Sequence, residues 1–194
     1  MHQIYKTEGI ILGSRPAGDA SRRFLVLTRE RGLVSVFAQG VRRISSKLRP
    51  SLQEFAHVRI EMVRGREVWR LTGVSLRERF PGIFQNPPAF TIIKNTARLL
   101  KRLCPEEESN PKIFTDFLSA LAVLSNARLT LIELSSTEAC LVLRILHHLG
   151  YVGAPEHFAE AITSPLNREL LARMTPRRRT VVMEINRALR ESHL

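Results

Sequence analysis

The chain has 194 residues, 44% of them hydrophobic and 25% charged, which suits one large or two small domains with a substantial core. Its two cysteines, Cys104 and Cys140, are too few and too far apart for a disulfide framework or a four-ligand zinc site. No apolar run approaches membrane-spanning length and the first residues contain no apolar signal region, so we expect a soluble, cytoplasmic protein without a cofactor.

The formal net charge of +12 is concentrated in the N-terminal part. Residues 1–80 carry 16 lysines and arginines against 7 acidic residues, a net of +9, whereas residues 81–194 carry 14 against 11, a net of +3. Arginine dominates the first part, and its planar guanidinium forms forked contacts with phosphate. This asymmetry favours an anionic polymer as partner, and the alternatives are a solubilising surface or a genome rich in arginine codons.

The first 80 residues have the pattern of short β-strands separated by turns. Strands are predicted over Tyr5–Leu12, Phe24–Thr28 and Leu33–Ala38. The last two form a hairpin, because Gly32 stands where the turn needs a positive φ.

Two further strands follow. The fourth alternates clearly: Ala56, Val58, Ile60 and Met62 are predicted to face the core, and His57, Arg59 and Glu61 to face away. A turn at Arg64-Gly65-Arg66 leads to the fifth strand, Val68–Val74. Five mostly antiparallel strands predict a small barrel, with the OB-fold as the leading class and an SH3-like barrel as its competitor.

The segment Ala38–Pro50, here called the basic loop, joins the third and fourth predicted strands. A basic loop of this kind can hold a phosphate backbone. Arg22 and Arg23 open the second strand and either extend this cationic surface or form a solvated loop. The candidate residues for binding the phosphate backbone of a nucleic acid are therefore Arg22, Arg23, Arg42, Arg43, Lys47 and Arg49.

The aromatic residues of the same region have two interpretations. Phe24 and Phe37 stand among valines and leucines, so both are predicted to fill the barrel interior. For Trp69, a core position and a platform that stacks on bases remain equally open.

After residue 80, proline and glycine end the strand pattern, and the spacing of apolar residues becomes helical. Helices are predicted from Ala89, from Pro111, over Leu131–Leu149, from Ser164-Pro165 and from Thr175-Pro176. The predicted fold is therefore α+β, with an N-terminal five-stranded OB-type barrel in residues 1–80 and an all-α domain in residues 81–194. The acids of 106–108 are predicted to be a solvated linker, and the adjacent His147 and His148 would make a poor metal chelate.

Three arginines mark the start of the last predicted helix. Arg177, Arg178 and Arg179 stand in its first turn, where guanidinium groups and free backbone amides together suit an anion or an acidic partner. The alternative is a solvated cluster. No catalytic or metal pattern accompanies the basic segments, since Asp19, Glu30 and Glu54 are scattered and no phosphate-binding glycine loop occurs, so we do not expect an enzyme.

Several segments resemble a known family in order and spacing. They are Glu8–Leu12, Gly18–Arg22, Thr28–Arg43, Ser45–Phe55, the turn at Arg64-Gly65-Arg66 and, further on, Leu146–Tyr151. This series resembles RecO, the bacterial recombination mediator. From charge and barrel alone, an RNA-binding or ribosome-associated protein fits equally well.

The resemblance implies an N-terminal OB-fold followed by a helical domain. It also implies binding of single- and double-stranded DNA, annealing of complementary strands, and work with RecR on DNA coated by single-strand-binding protein. RecF and the acidic tail of single-strand-binding protein are further partners that it suggests. Many members carry a four-cysteine zinc motif after the position of Tyr151, which this sequence lacks, and we expect a shortened helical domain.

Overall fold

A computed structural model describes residues 3–66, 68–126, 128–153 and 156–192. The chain separates into two compact units, residues 1–79 with 104–114, and residues 80–103 with 115–194. The predicted domain boundary at residue 80 stays a prediction.

The first unit contains a closed five-stranded barrel. Its strands are β1 (Ile4–Pro16), β2 (Arg22–Thr28), β3 (Gly32–Ala38), β4 (His57–Arg64) and β5 (Trp69–Glu78). They are ordered β1-β2-β3-β5-β4, with β3 and β5 parallel and the other neighbours antiparallel. Because β5 lies between β3 and β4, the barrel is a Greek key, which selects the OB-fold over the SH3-like alternative.

The barrel core follows the alternation seen in the sequence. Val58, Ile60 and Met62 are fully buried, as predicted, because successive strand residues point to opposite faces. They pack with Val26, Val34 and Val36 from β2 and β3. Gly32 has a φ of +57°, which confirms the predicted conformation of the β2–β3 turn.

His57 points away from the barrel core, as predicted, yet it is buried. It lies on the outer side of β4, as the alternation requires, and is only 9% exposed. Its ring is 6.0 Å from the ring of Phe114, which belongs to the 104–114 segment of the same unit. Burial lowers the pKa of His57.

The described part of residues 81–191 forms seven α-helices. They are α1 (Pro81–Gln85), α2 (Pro87–Leu103), α3 (Pro111–Leu124), α4 (Leu131–His148), α5 (Ala159–Thr163), α6 (Arg168–Met174) and α7 (Arg178–Glu191). Helix α4 is the central one, as predicted, because it contacts α2, α5, α6 and α7. It begins with a capping box formed by Thr130 and Glu133, and Gly150 follows its end with a φ of +82°.

The helix predicted to start at Ser164-Pro165 begins later. Ser164 instead caps the end of α5, and Leu166 is buried outside any helix. Helix α6 starts after Asn167, whose side chain accepts a hydrogen bond from the Leu170 amide at 2.9 Å. Asparagine is among the best N-terminal caps, so this acceptor fixes the start of the helix.

Candidate nucleic-acid interface

Four side chains form a line across the outside of the barrel. Strand register pairs Arg15 with Arg23, Arg23 with Phe37, and Phe37 with Arg70. Residues directly opposite each other on neighbouring strands point to the same face and lie about 5 Å apart at Cβ. The alternating neighbours Phe24 and Val36 are buried, so this line, here called the outer-face row, lies on the outside.

The row corrects one prediction and extends another. Phe37 was predicted to fill the barrel interior, but it is half-buried on the outer face, because it is out of phase with Val34 and Val36 along β3. Arg23, predicted to bind DNA, stands directly beside it in the row. Arg15 and Arg70 were not among the predicted binding residues. Alternation with the buried Trp69 places Arg70 on that face, whereas Arg15 lies there because the register of β1 shifts between Ile11 and Gly13.

Among the described residues, the arginines of the outer-face row have no carboxylate partner, unlike Lys6, Arg29 and Arg64 elsewhere on the barrel. In the part of the chain that the structure describes, no ion pair engages Arg15, Arg23 or Arg70. Elsewhere on the barrel, by contrast, Lys6 of β1 pairs with Glu61 of β4 at 2.8 Å, and Arg29, which follows β2, pairs with Glu8 of β1 at 2.8 Å. Unpaired arginines around an aromatic ring are suited to bind phosphates and to stack on a base.

The basic loop meets the β1–β2 loop at one end of the barrel. The Arg42 amide donates to the carbonyl oxygen of Ala20 at 2.9 Å, and the Gly40 amide donates to Ser21 Oγ at 3.2 Å. Arg22, at the start of β2, donates from Nε to Ser14 Oγ at 3.0 Å. The structure therefore brings Arg42, next to Arg43, close to the segment that leads into Arg22 and Arg23.

The other two predicted loop residues lie further along the chain. Lys47 and Arg49 are exposed, and Arg49 begins a short 3-10 turn, Arg49–Ser51. This turn contacts β5, and Arg79 donates from Nη2 to the carbonyl oxygen of Pro50 at 2.9 Å. The basic loop thus runs from the β1–β2 loop to the end of β5.

Trp69 is a core residue and not a stacking platform. It is 3% exposed, and its ring meets the Tyr5 ring edge-on at 5.0 Å. The guanidinium groups of Arg31 and Arg64 cover it at 5.2 and 5.1 Å. A cleft of about 330 Å³ beside Tyr5 is lined by both cations and acids, Lys6 and Arg31 with Glu30 and Glu107. This mixture of charges does not suit a polyanion.

The acidic segment 106–108 is more than a solvated linker. The Glu107 amide donates to the Leu33 carbonyl at 2.8 Å, and its carboxylate pairs with Arg64. Glu106 forms a parallel bridge with Leu33. These residues lie beside the part of β3 that precedes its pairing with β5, and they cover it.

Arg177, Arg178 and Arg179 are placed in the second unit. Arg177 ends a 3-10 turn and caps α7, which starts at Arg178. Arg177 and Arg179 are exposed, whereas Arg178 is half-buried. The proposed anion site stays a prediction.

Within the described residues, the structure contains no helix with the length and apolar character that a membrane span requires. Nor do those residues bring three histidine, cysteine or acidic side chains together around a metal site. His148 Nε2 lies 2.8 Å from Asp116 Oδ2, and His147 Nδ1 lies 3.0 Å from the Val152 carbonyl oxygen.

Comparison with known proteins agrees with the barrel. Residues 1–80 match the family model described as "Recombination protein O N terminal". The chain is a relative of the RecO proteins.

A DNA repair protein RecO from Heliobacterium modesticaldum is 32% identical over 150 residues, which are 77% of this chain and 52% of that protein. The RecO of Acaryochloris marina is 31% identical over 164 residues, 84% of this chain and 54% of that protein. The RecO of Roseiflexus is 28% identical over 174 residues, 90% of this chain and 59% of that protein.

The chain spans about half the length of the curated RecO proteins it matches. The family match covers the whole barrel, including the outer-face row and the basic loop. The RecO relationship and the geometry of the barrel surface therefore concern the same 80 residues.

Proposed function

We propose that this protein binds DNA through the outer-face row and the basic loop, and that it acts without catalysis as a recombination mediator in DNA repair. The observation that carries the proposal is the row itself, three arginines in register around Phe37 with no ion pair among the described residues. OB-folds commonly bind oligonucleotides on the β2–β3 face, which is where Arg23 and Phe37 lie.

The chemistry of the surface suits backbone binding rather than sequence reading. Arginines that neutralise phosphates release counterions, which drives binding and makes it dependent on salt. A half-buried phenylalanine offers a face on which any base can stack. Two strands held this way repel each other less, and their outward base edges stay free to pair. We therefore propose that the protein anneals complementary strands.

The relationship to RecO proteins motivates a further proposal about partners. We propose that the protein works with RecR, and further with RecF, in replacing single-strand-binding protein by the recombinase. Arg177, Arg178 and Arg179 are the proposed contact for the acidic tail of single-strand-binding protein, because guanidinium groups bind carboxylates well. The triple alanine variant should weaken binding of an acidic tail peptide and leave DNA binding by the barrel intact.

The test is an annealing assay with complementary oligonucleotides, bare and coated with single-strand-binding protein, over a series of salt concentrations. Acceleration of both reactions that declines with salt is expected. Failure to accelerate either reaction would overturn the mediator proposal.

The same assay with structured RNA as competitor addresses the alternative function. The proposed role requires that DNA strands anneal in the presence of this competitor. If structured RNA binds as tightly as DNA and suppresses annealing, an RNA-binding protein is the better description.

A further inference from the structure

The tip of the basic loop exposes an apolar side chain to solvent. Ile44 is 97% exposed, more than any other large hydrophobic side chain among the described residues. Arg42 and Arg43 precede it directly and Lys47 follows, and all three are exposed. Isolated exposed apolar residues are common on protein surfaces, so exposure alone carries no function. The way the loop holds Ile44 is the informative feature.

The loop is fixed on both sides of Ile44. Val41 is 2% exposed and belongs to the barrel core, and Leu48 packs against the same core. The amide of Arg42 is held by the Ala20 carbonyl at 2.9 Å. Both anchors place the intervening residues at the barrel surface, so the tip is not a free chain.

Two consecutive turns shape the tip between these anchors. The Arg43 amide donates to the Gly40 carbonyl at 3.1 Å, and the Ser46 amide donates to the Arg43 carbonyl at 3.1 Å. Gly40 leads into the first turn with a φ of +66°, a conformation that glycine adopts readily. Ile44 therefore takes the first central position of the second turn, where a side chain projects from the loop.

We propose that Ile44 is a wedge that enters a base step of duplex DNA while Arg42, Arg43 and Lys47 hold the flanking phosphates. The inference rests on the proposed DNA binding and adds to it a mode of deforming the duplex. Proteins that bend or open DNA commonly insert an isoleucine, leucine or phenylalanine between base pairs. Burial of the apolar side chain offsets part of the cost of unstacking, and the cations beside it keep the loop on the backbone.

The test uses the full chain and a set of short DNA duplexes. Each duplex carries the fluorescent base 2-aminopurine at a different central position, and this base fluoresces more strongly when it is unstacked. The wild-type protein should raise the fluorescence of at least one duplex at saturation. Ile44→Ser should lose this rise, and Ile44→Phe should keep it because the larger ring still fills the step. Met183→Ser is the matched control, since Met183 is 70% exposed on α7, and it should behave as wild type.

Binding of the same duplexes is measured in parallel by anisotropy. In Ile44→Ser, the affinity for duplex DNA should fall by less than about ten-fold. The salt slope should equal that of the wild type, because the phosphate contacts remain. An equal fluorescence rise with Ile44→Ser, or saturated wild-type binding with no rise at all, overturns the wedge alone. Absence of any salt-dependent binding by wild type overturns the proposed DNA-binding function together with the wedge.

Discussion

At the scale of single residues, the barrel contains two kinds of arginine. Arg29 and Arg64 are held by carboxylates, at Glu8 and Glu107. Within the described chain, Arg23 and Arg70 have no such partner and flank Phe37. An exposed ion pair stabilises a fold by at most about 1 kcal/mol, so leaving an arginine unpaired costs the fold little and keeps it available for phosphate.

The first prediction concerns the charges of the outer-face row. Replacing both Arg23 and Arg70 with alanine should weaken DNA binding to a similar extent for all sequences. The salt slope should fall by about two, about one for each lost phosphate contact. Anisotropy titrations over a salt series measure this slope. Arg98→Ala, at an exposed arginine of α2, is the control. If the double variant had the same salt slope as this control, Arg23 and Arg70 would not contact phosphate.

The second prediction concerns the aromatic ring of the row. Phe37→Ala should weaken binding of single-stranded DNA by about 1–3 kcal/mol without changing the salt slope, because stacking involves no phosphate. Phe37→Tyr should retain most of the affinity, whereas Phe37→Leu should not. Equal binding by the leucine and tyrosine variants would mean that Phe37 contributes apolar contact and not stacking.

At the scale of elements, the β2–β3 turn packs against the 106–108 segment, which is far from it in the sequence. Gly32 has a positive φ, and a Cβ there would overlap the carbonyl oxygen of Glu108. Gly18 has a φ of +82° but nothing lies within 4 Å of its would-be Cβ. Substitution of Gly18 therefore measures the free-energy cost of the backbone conformation alone, whereas substitution of Gly32 adds the cost of a steric clash.

The third prediction uses this pair. Gly18→Ala should lower the free energy of unfolding by about 1–2 kcal/mol, the cost of a left-handed conformation for a residue with a Cβ. Gly32→Ala should lower it by a further 1–3 kcal/mol or so, because the 106–108 segment has to move. Urea unfolding of both variants measures the difference. Equal losses would show that the segment yields without cost.

The start of α4 supplies a second element with a measurable signature. Hydrogen bonds from Arg168 and from Thr130 lower the pKa of Glu133 to about 2. Arg168 Nε donates to Glu133 Oε1 at 2.6 Å, and the Thr130 amide donates to Oε2 at 2.7 Å. The carboxylate therefore joins the cap of α4 to α6.

The fourth prediction follows from that pKa. Because the folded-state pKa is lowered, the stabilisation is complete above the ordinary pKa of 4.5 and is lost as pH falls toward about 2. Glu133→Gln should flatten the decline of melting temperature across this interval. Glu156→Gln, at an exposed carboxylate, should retain the wild-type decline. A wild-type pH profile in Glu133→Gln would contradict the linkage.

At the scale of the whole molecule, charge is distributed differently in the two units. In the barrel unit, the arginines of the outer-face row have no ion pair among the described residues. The helical unit instead buries one of its arginines, Arg144, which is 2% exposed. Its Nη1 donates to Asp116 Oδ1 at 2.9 Å, its Nε donates to the Ala161 carbonyl at 2.6 Å, and its Nη2 donates to the Ser164 carbonyl. This network ties α3, α4 and the end of α5 together.

The fifth prediction tests that network. Asp116→Ala should lower the free energy of unfolding by about 3–5 kcal/mol, because it leaves the buried Arg144 without its counter-charge. Glu169→Ala removes the more exposed of the two carboxylate partners of Arg173 and should lower the free energy of unfolding by less than about 1 kcal/mol. Urea unfolding, which leaves charge interactions unscreened, measures both. Similar small losses would show that the two backbone carbonyls suffice to hold Arg144.

The sequence by itself determined what depends on local pattern. Alternation along β4 identified the buried Val58, Ile60 and Met62, since a strand repeats every two residues. Apolar spacing and Gly150 identified the central helix α4. The charge asymmetry identified the basic part, and the order of short segments identified the RecO relationship that the match to residues 1–80 confirms.

The tertiary structure alone decided what depends on residues that are distant in the chain. His57 is buried because Phe114, 57 positions later, covers it. Phe37 lies on the outer face because of the alternation along β3, but only strand pairing places Arg23 and Arg70 on either side of it. Strand pairing likewise places Arg15 beside Arg23. Periodicity shows which side chains share a face of one strand, whereas only strand pairing shows which strands lie beside it.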